Sequence, residues 1–225
     1  MRRCRRRILV LLVLVAALLG CLALRATVFA PRWDVPSIAA TPQYQDAALL
    51  DRAWSLPVAS TFGRRVVFQT NGSVCGPASL ANIMRSLGAA TATQATVLDG
   101  TGKCGTGICF MGLTLDELGA IASEKTGRKV TVLRDLGLDD LRGHLRHAND
   151  PARRYLANFH RGLLFGKGVG HHSPIAGYLE GDDLVLVLDV NPSFGPWLVS
   201  SERLFRAIDS VDSSSGKKRG LLLLE

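Results

Sequence analysis

Apolar residues recur at helical spacing after a cysteine–glycine pair in the first half of the chain. Four of them share one face of a 3.6-residue repeat: Leu80, Ile83, Met84 and Leu87. Gly88 stands where such a helix would end. The pattern therefore predicts a helix that begins at Cys75 and stops before Gly88.

Similar patterns predict three more helices and five strands. Helices are expected at 46–56, from the capping sequence at Thr114 to Gly127, and around Leu138, Leu141 and Leu145. Strands are expected at 129–133, 155–159, 173–179, 184–190 and 221–224, with a hairpin turn at 180–183. Residues 89–106 show no pattern and are predicted to be a loop. Helices that precede an antiparallel sheet indicate an α+β fold with segregated halves.

The amino terminus has the pattern of a targeting segment. Five arginines, Arg2, Arg3, Arg5, Arg6 and Arg7, precede an uncharged apolar run at 8–24. As a helix this run would span about 26 Å, enough for a thin bilayer, and the arginines would keep its start in the cytoplasm. We predict a signal anchor or signal peptide at 1–25, with an uncleaved anchor favoured over a lipoprotein or a secreted form. The rest of the chain is then extracytoplasmic, on the periplasmic side of the inner membrane.

The remaining chain divides into a linker and one domain. Prolines without periodicity at 26–48 predict the linker, and 49–225 is long enough for one catalytic domain. The five arginines supply most of the net charge of +8, and no basic helix or stripe remains elsewhere. Nucleic acid is therefore disfavoured as a partner, whereas the membrane is a predicted partner through the N-terminal helix.

Cys75 occupies a position that suits a nucleophile. A cysteine at a helix start meets unpaired N–H groups and the positive end of the helix dipole, which favour the thiolate. Gln69 lies six residues upstream, close enough in sequence for its amide to stabilise an oxyanion that forms beside the sulfur. A buried structural cysteine is the alternative interpretation.

A predicted β-hairpin brings a histidine and an aspartate together. His171 immediately precedes the strand at 173–179, and Asp189 is near the end of the strand at 184–190. Asp189 could hold one nitrogen of the imidazole while the other faces the thiolate, which is the arrangement that an activated cysteine requires. His172 is an equal candidate for the base, because neighbouring strand residues point to opposite faces and the pattern does not choose between them.

Two further cysteines lie between the nucleophile and the hairpin. Cys104 and Cys109 could close a small disulfide, remain as inert thiols or bind a soft metal. Two thiols alone do not make a metal site, so no metal site is predicted.

These residues resemble a known family. The order Cys, His, Asp, with a glutamine six before the cysteine, resembles the papain-like superfamily, and three stretches resemble the catalytic domain of phytochelatin synthases. The stretches are 69–76, the sequence FHRGLLFGKGVGHHSPIAGY at 159–178, and 184–197, where a strand ending in LDV leads to a Pro-Trp-containing turn. The resemblance implies a papain-like fold in which a helical half carries the nucleophile and an antiparallel sheet half carries His and Asp.

The resemblance also assigns roles. It implies Cys75 as nucleophile, His171 rather than His172 as general base and then acid, Asp189 as orienter and Gln69 as oxyanion donor. The implied substrate is glutathione, whose Cys–Gly bond is attacked to release glycine and form a γ-glutamylcysteinyl thioester. No cofactor is required, and Cd²⁺ or Zn²⁺ would enter as a metal–glutathione thiolate. Residues expected to bind substrate are Arg161, Gly170 and Ser173.

Departures from the family pattern leave the acceptor open. Asn191-Pro192 stands where the family usually has a basic residue, and Val74 replaces an aromatic residue. These changes favour hydrolysis of glutathione or its S-conjugates over transfer to a second glutathione. The alternatives are another papain-like peptidase of the bacteriocin-leader type and a non-catalytic thiol module that senses metal or redox state.

Overall fold

The computed structural model describes residues 7, 12–15, 17, 33–109 and 111–225. Most of the signal anchor predicted at 1–25 lies outside these residues. Within the described ranges, no helix combines the length and the apolar character needed to cross a bilayer.

A six-stranded antiparallel sheet forms the centre of the domain. In chain order the strands are β1 (Val130–Leu133), β2 (Arg154–His160), β3 (Gly170–Leu179), β4 (Leu184–Leu188), β5 (Pro196–Ser200) and β6 (Gly220–Leu224). In the sheet they follow the order β1-β6-β2-β3-β4-β5, and every pair is antiparallel. The predicted α+β class and the five predicted strands are confirmed.

Helices cover both faces of this sheet. They span Ala47–Trp54, Pro57–Ser60, Cys75–Ser86, Gln94–Leu98, Leu115–Thr126, Leu138–Arg146, Gly162–Phe165 and Ser201–Ile208. Successive residues of β6 alternate between two cores, since Leu222 and Leu224 join the core beneath the Cys75 helix and Leu221 and Leu223 join the opposite core. The predicted segregation of helices from sheet is therefore incomplete, because the strands are apolar on both faces and need a helical layer on each.

Helix ends follow the predicted signals. Thr114 and Glu117 form a capping box at the start of the Leu115 helix, and Gly127 ends that helix at φ 65°. Asp46 caps the Ala47 helix through a bond to Leu49 N–H of 2.8 Å. Gly88 follows the Cys75 helix at φ 102°, in the left-handed region that glycine adopts readily.

Two short elements in particular escape the sequence patterns. The predicted loop at 89–106 contains the five-residue helix Gln94–Leu98, which Thr93 caps. The predicted Pro-Trp turn is wrong, because Pro196 and Trp197 begin β5, which pairs with β4. A strand of this length gives too few alternations to be distinguished from a turn, and pairing with a neighbouring strand stabilises it.

The described part of the predicted linker packs against the domain. Trp33 N–H donates to Gly166 O at 3.0 Å, and Leu198 N–H donates to Tyr44 O at 2.8 Å. The Tyr44 ring is buried and stacks on Trp197 at 6.4 Å between centroids. From Trp33 onward the segment is therefore not a free tether, since its apolar residues complete the second core.

Replacing Tyr44 by alanine should lower the free energy of unfolding by about 3–5 kcal/mol, the usual cost of truncating a large buried aromatic side chain. Urea unfolding followed by circular dichroism measures this change. The neighbouring Gln43→Ala is the control, because Gln43 is exposed and its loss should change stability by less than about 0.5 kcal/mol. Equally small effects of both substitutions would show that the segment does not stabilise the domain.

Candidate active site

Cys75 begins its helix, as predicted, at the wall of a cleft. Its side chain is 7% exposed, and the cleft it lines holds about 340 Å³. No side chain caps this helix, and Pro77 in its first turn has no N–H. The N–H groups of Cys75 and Gly76 are therefore the donors that the first turn presents beside the sulfur.

Two anchors hold the segment before Cys75. Asn82 lies about two turns further along the same helix. Its side chain accepts from Val67 N–H at 2.8 Å and donates to Val67 O at 2.9 Å. Gln69 N–H donates to Val190 O at 2.8 Å, which ties this segment to the chain just after β4. The cysteine loop and the end of β4 are thus joined directly.

His171 and Asp189 meet as the sequence predicts. His171 is the second residue of β3, which begins three residues earlier than predicted, and Asp189 directly follows β4. The His171 Nε2 atom lies 3.0 Å from Asp189 Oδ1. The other ring nitrogen of His171 is left for Cys75, and the His171 side chain lowers the pKa of that thiol against the raising effect of burial.

Asp189 is fully buried and accepts from four groups. Besides His171, these are Arg161 Nη2 at 2.6 and 2.7 Å, Asn191 N–H at 2.9 Å and Trp197 Nε1 at 3.0 Å. Burial raises the pKa of the Asp189 carboxyl, but the hydrogen bond and charge of His171, the charge of Arg161 and the N–H of Asn191 lower it to about 2. Asp189 is therefore ionised at neutral pH.

Arg161 does not lie where the sequence analysis expects it. It is 6% exposed, forms the ion pair with Asp189 and lies over the Phe194 ring at 4.0 Å from its centroid. It is not among the residues that line the Cys75 cleft. Its role as a substrate ligand stays a prediction, and in this structure a buried carboxylate binds the guanidinium.

Cys75 and His171 favour the ion-pair state. Burial raises the pKa of the Cys75 thiol, but the charge and hydrogen bond of His171, with the N–H groups of His172 and Gly76, lower it below its usual range. Burial lowers the pKa of His171, but the Cys75 charge and the hydrogen bonds to Asp189 and Cys75 raise it above its usual range. The arrangement therefore supports a thiolate beside an imidazolium.

His172 has a different environment, which distinguishes the two neighbouring histidines. Its Nε2 atom lies 3.0 Å from Leu113 O, and its ring contacts the Asn158 amide. Burial lowers the pKa of His172 to about 4, so this ring is neutral at pH 7. His172 lines the cleft, and it acts on the thiol through its backbone N–H and not through its ring.

The Gln69 amide lies in the segment that precedes Cys75. Its Nε2 atom donates to Asn71 O at 3.0 Å, while its Oε1 atom is buried without a hydrogen-bond partner among the described residues. An amide nitrogen carries two N–H groups, so one remains for another acceptor. The role of Gln69 as oxyanion donor stays a prediction.

The cleft contains a buried ion pair that the sequence analysis missed. Arg219 Nη2 lies 3.3 Å from Asp212 Oδ1, and Arg219 Nη1 donates to Asn158 Oδ1 at 3.0 Å. Both charged residues line the cleft together with Cys75. The register explains the placement, because Gly220 of β6 pairs with Asn158 of β2 and so brings Arg219 to this end of the sheet.

The two remaining predicted substrate residues differ in position. Gly170 lines the cleft, and a side chain there would collide with the Arg219 guanidinium. Ser173 is fully buried, and its hydroxyl has no partner among the described residues. The role of Ser173 in substrate binding stays a prediction.

Cys104 and Cys109 form a disulfide, which selects one of the three predicted alternatives. Their sulfurs are therefore not free thiolates. Among the described residues, no three His, Cys, Asp or Glu side chains are grouped as metal ligands would be. A larger cavity of about 580 Å³ lies beside Leu184 and Leu198 and includes none of the predicted site residues.

Iodoacetamide should alkylate Cys75 rapidly well below the usual thiol pKa, because the thiolate persists as the pH falls. The His171→Ala variant should move the inflection of the rate against pH upward, since burial alone raises the Cys75 pKa. Mass spectrometry of the labelled peptide between pH 5 and 10 measures both profiles. His147→Ala, at an exposed histidine, is the matched control and should leave the profile unchanged. A wild-type inflection at about pH 8.5 that His171→Ala does not move would contradict the ion pair.

Comparisons with known proteins agree with the predicted resemblance. A sequence profile of the phytochelatin synthase family matches residues 45–221. Glutathione gamma-glutamylcysteinyltransferase 1 of Arabidopsis thaliana is 41% identical over 70 residues, which are 31% of this chain and 14% of that protein. The Schizosaccharomyces pombe glutathione gamma-glutamylcysteinyltransferase is 31% identical over 117 residues, which are 51% of this chain and 28% of that protein.

These curated relatives are much longer than the matched region, which spans less than a third of either one. Among solved structures, a C39-like peptidase from Bacillus anthracis aligns with a TM-score of 0.52 at 11% identity and covers 73% of this chain and 95% of that one. This similarity shows a shared fold. Because the family profile matches well over half of its residues, the chain belongs to the phytochelatin synthase family.

Proposed function

We propose that the protein is a γ-glutamylcysteinyl transferase or hydrolase that cleaves the Cys–Gly bond of glutathione through a thioester on Cys75. The observation that carries the proposal is the hydrogen bond of His171 to Asp189, with Cys75 next to His171 at the wall of a cleft that also holds the Arg219–Asp212 pair. Family membership and the names of the relatives support the same reaction.

In the first half-reaction the Cys75 thiolate attacks the carbonyl carbon of the cysteinyl residue. The carbonyl π electrons move to oxygen, and the resulting oxyanion accepts from the N–H groups at the helix start and from the Gln69 amide. The intermediate collapses when the His171 imidazolium donates its proton to the glycine nitrogen, and glycine leaves. Asp189 keeps the imidazole in the orientation that both steps need.

In the second half-reaction His171, now neutral, takes a proton from the acceptor, whose oxygen or nitrogen attacks the thioester carbonyl carbon. The C–S bond then breaks and the Cys75 thiolate leaves. Water as acceptor gives γ-glutamylcysteine, and the amine of a second glutathione gives a longer peptide. We propose that water is the main acceptor. Arg161 is sequestered by Asp189 and covered by Phe194, so it is not available to hold a second carboxylate near the thioester.

The Arg219–Asp212 pair suits the γ-glutamyl group. A γ-linked glutamate carries both a free α-amino and a free α-carboxylate group, unlike a residue within an ordinary peptide. Asp212 can accept from the ammonium and Arg219 can donate to the carboxylate, with Asn158 holding the guanidinium. Such a site would select γ-glutamyl donors over internal peptide bonds.

We further propose that the domain works outside the cytoplasm, anchored by the apolar run at 8–24. The arginines before this run and the Cys104–Cys109 disulfide support this location, because disulfides persist in oxidising compartments. The lipoprotein and secreted forms would leave the domain in the same compartment. No protein-held metal is invoked, and Cd²⁺ or Zn²⁺ would reach the cleft as a glutathione thiolate complex.

Purified protein incubated with glutathione should release glycine and γ-glutamylcysteine in equal amounts, and Cys75→Ala should abolish the release. Liquid chromatography with mass spectrometry, with and without Cd²⁺ or Zn²⁺, identifies the products. Oligomers longer than glutathione would contradict the hydrolytic preference. If the wild-type protein releases no glycine but cuts a Gly-Gly leader peptide, the proposed reaction with glutathione is wrong and the alternative function as a peptidase is favoured.

Arg219→Leu should raise the KM for glutathione about 10- to 100-fold, the effect of losing a hydrogen bond to a charged group. Iodoacetamide, which lacks a γ-glutamyl group, should still alkylate Cys75 of this variant. Arg206→Leu is the matched control, because Arg206 is exposed on the Ser201 helix and should leave KM unchanged. An unchanged KM in Arg219→Leu would remove the proposed γ-glutamyl site.

A further inference from the structure

The Cys104–Cys109 disulfide closes a short loop that packs against the chain leading to Cys75. Cys109 N–H donates to Ser73 Oγ at 3.1 Å, and Gly107 O accepts from Asn71 Nδ2 at 3.1 Å. Two hydrogen bonds therefore join this loop, the disulfide loop, to the turn at 71–73.

That turn holds the Gln69 amide. Asn71 Oδ1 accepts from Ser73 N–H at 2.9 Å and from Ser73 Oγ at 2.6 Å, which closes the turn. Asn71 O then accepts from Gln69 Nε2 at 3.0 Å. Among the described residues this is the one side-chain hydrogen bond of Gln69, since its Oε1 atom has no partner. The direction of the amide therefore depends on the geometry of the turn.

The other end of the disulfide loop continues into the wall of the cleft. Gly112 N–H donates to Cys109 O at 3.0 Å, and Gly112 and Leu113 line the cleft. Opening the loop can therefore have two effects: it can turn the Gln69 amide, or it can displace the cleft wall at Gly112 and Leu113. A misdirected amide would lower kcat, whereas a displaced wall would raise KM.

We propose that the Cys104–Cys109 disulfide is a positioning element for the oxyanion donor. It holds the turn at 71–73, the turn directs the Gln69 amide, and full turnover requires the oxidised loop. The inference rests on the proposed function, in which Gln69 stabilises the tetrahedral intermediate. The cross-link restricts the disulfide loop and so limits the positions that the attached turn can adopt. Displacement of a catalytic donor by about 1 Å can lower the rate about 10²-fold.

The test opens the loop in the full-length protein in two ways. The first is reduction with a phosphine reductant, and the second is Cys104→Ala. Cys104 is chosen because Cys109 is 2% exposed and belongs to the core, where substitution would disturb packing. Initial rates of glycine release are measured against glutathione concentration, and mass spectrometry of quenched samples reports the disulfide state, because glutathione itself is a thiol that can reduce the bond.

Opening the loop should lower kcat about 10- to 100-fold and leave KM within about twofold. In a Gln69→Ala background, where loss of the donor already lowers kcat by about 10²–10³-fold, reduction should cause no further loss. Alkylation of Cys75 by iodoacetamide should be unchanged in every form, because substitution at a saturated carbon forms no oxyanion. Asn71→Ala should reproduce the loss with the disulfide intact, because the Asn71 side chain closes the turn.

Three results would overturn this proposal and leave the proposed function intact. They are an unchanged kcat in the reduced protein, a loss of kcat on reduction in the Gln69→Ala background equal to that in the wild type, or a raised KM with unchanged kcat. Slow alkylation of Cys75 together with a lower melting temperature would also overturn it, because the disulfide would then stabilise the fold as a whole. Absence of glycine release from the oxidised wild-type protein would instead overturn the proposed function on which the inference rests.

Discussion

Asp189 carries a negative charge at a position with no solvent exposure, and four donors from separate parts of the chain converge on it. Removing a carboxylate from water costs several kcal/mol unless charges and hydrogen bonds replace the lost hydration. Arg161 supplies the opposite charge, while His171, Trp197 and the Asn191 N–H supply the remaining bonds. The ends of β2 and β4 and the starts of β3 and β5 must therefore meet at one point. That meeting orients the imidazole toward the thiol.

Because the Asp189 carboxylate is buried, the charged groups around it alternate in sign. The guanidinium of Arg161, the Asp189 carboxylate, the His171 imidazolium and the Cys75 thiolate form a series in which each charge neighbours its opposite. Each member would be unstable alone in a buried position, and each is stabilised by the next. Arg219 lines the same cleft as Cys75; burial lowers the Arg219 pKa, whereas the charges of Asp212 and Cys75 raise it.

The fold does not by itself specify the reaction. The C39-like peptidase that shares this architecture has 11% sequence identity to the chain, so the similarity concerns the backbone arrangement. In the proposed function, the charge pattern on the cleft walls would distinguish a γ-glutamyl donor from a peptide. Here the Arg219–Asp212 pair lines the cleft, as do Gly112 and Leu113 just after the disulfide loop, and all of them lie outside the helix and hairpin that hold the reacting groups.

The features that could be predicted from the sequence are those that depend on local contacts. The Cys75 helix, the capping box at Thr114 and the hairpin that joins His171 to Asp189 depend on contacts within a few residues or across one turn, and such contacts leave a periodic trace. No pattern in the sequence indicates whether Arg161 or Arg219 lines the cleft. Only the pairing of β6 with β2 brings residue 219 to the cleft, and only the convergence at Asp189 buries residue 161, because partners far apart in sequence meet through strand order and register, which spacing along the chain does not record.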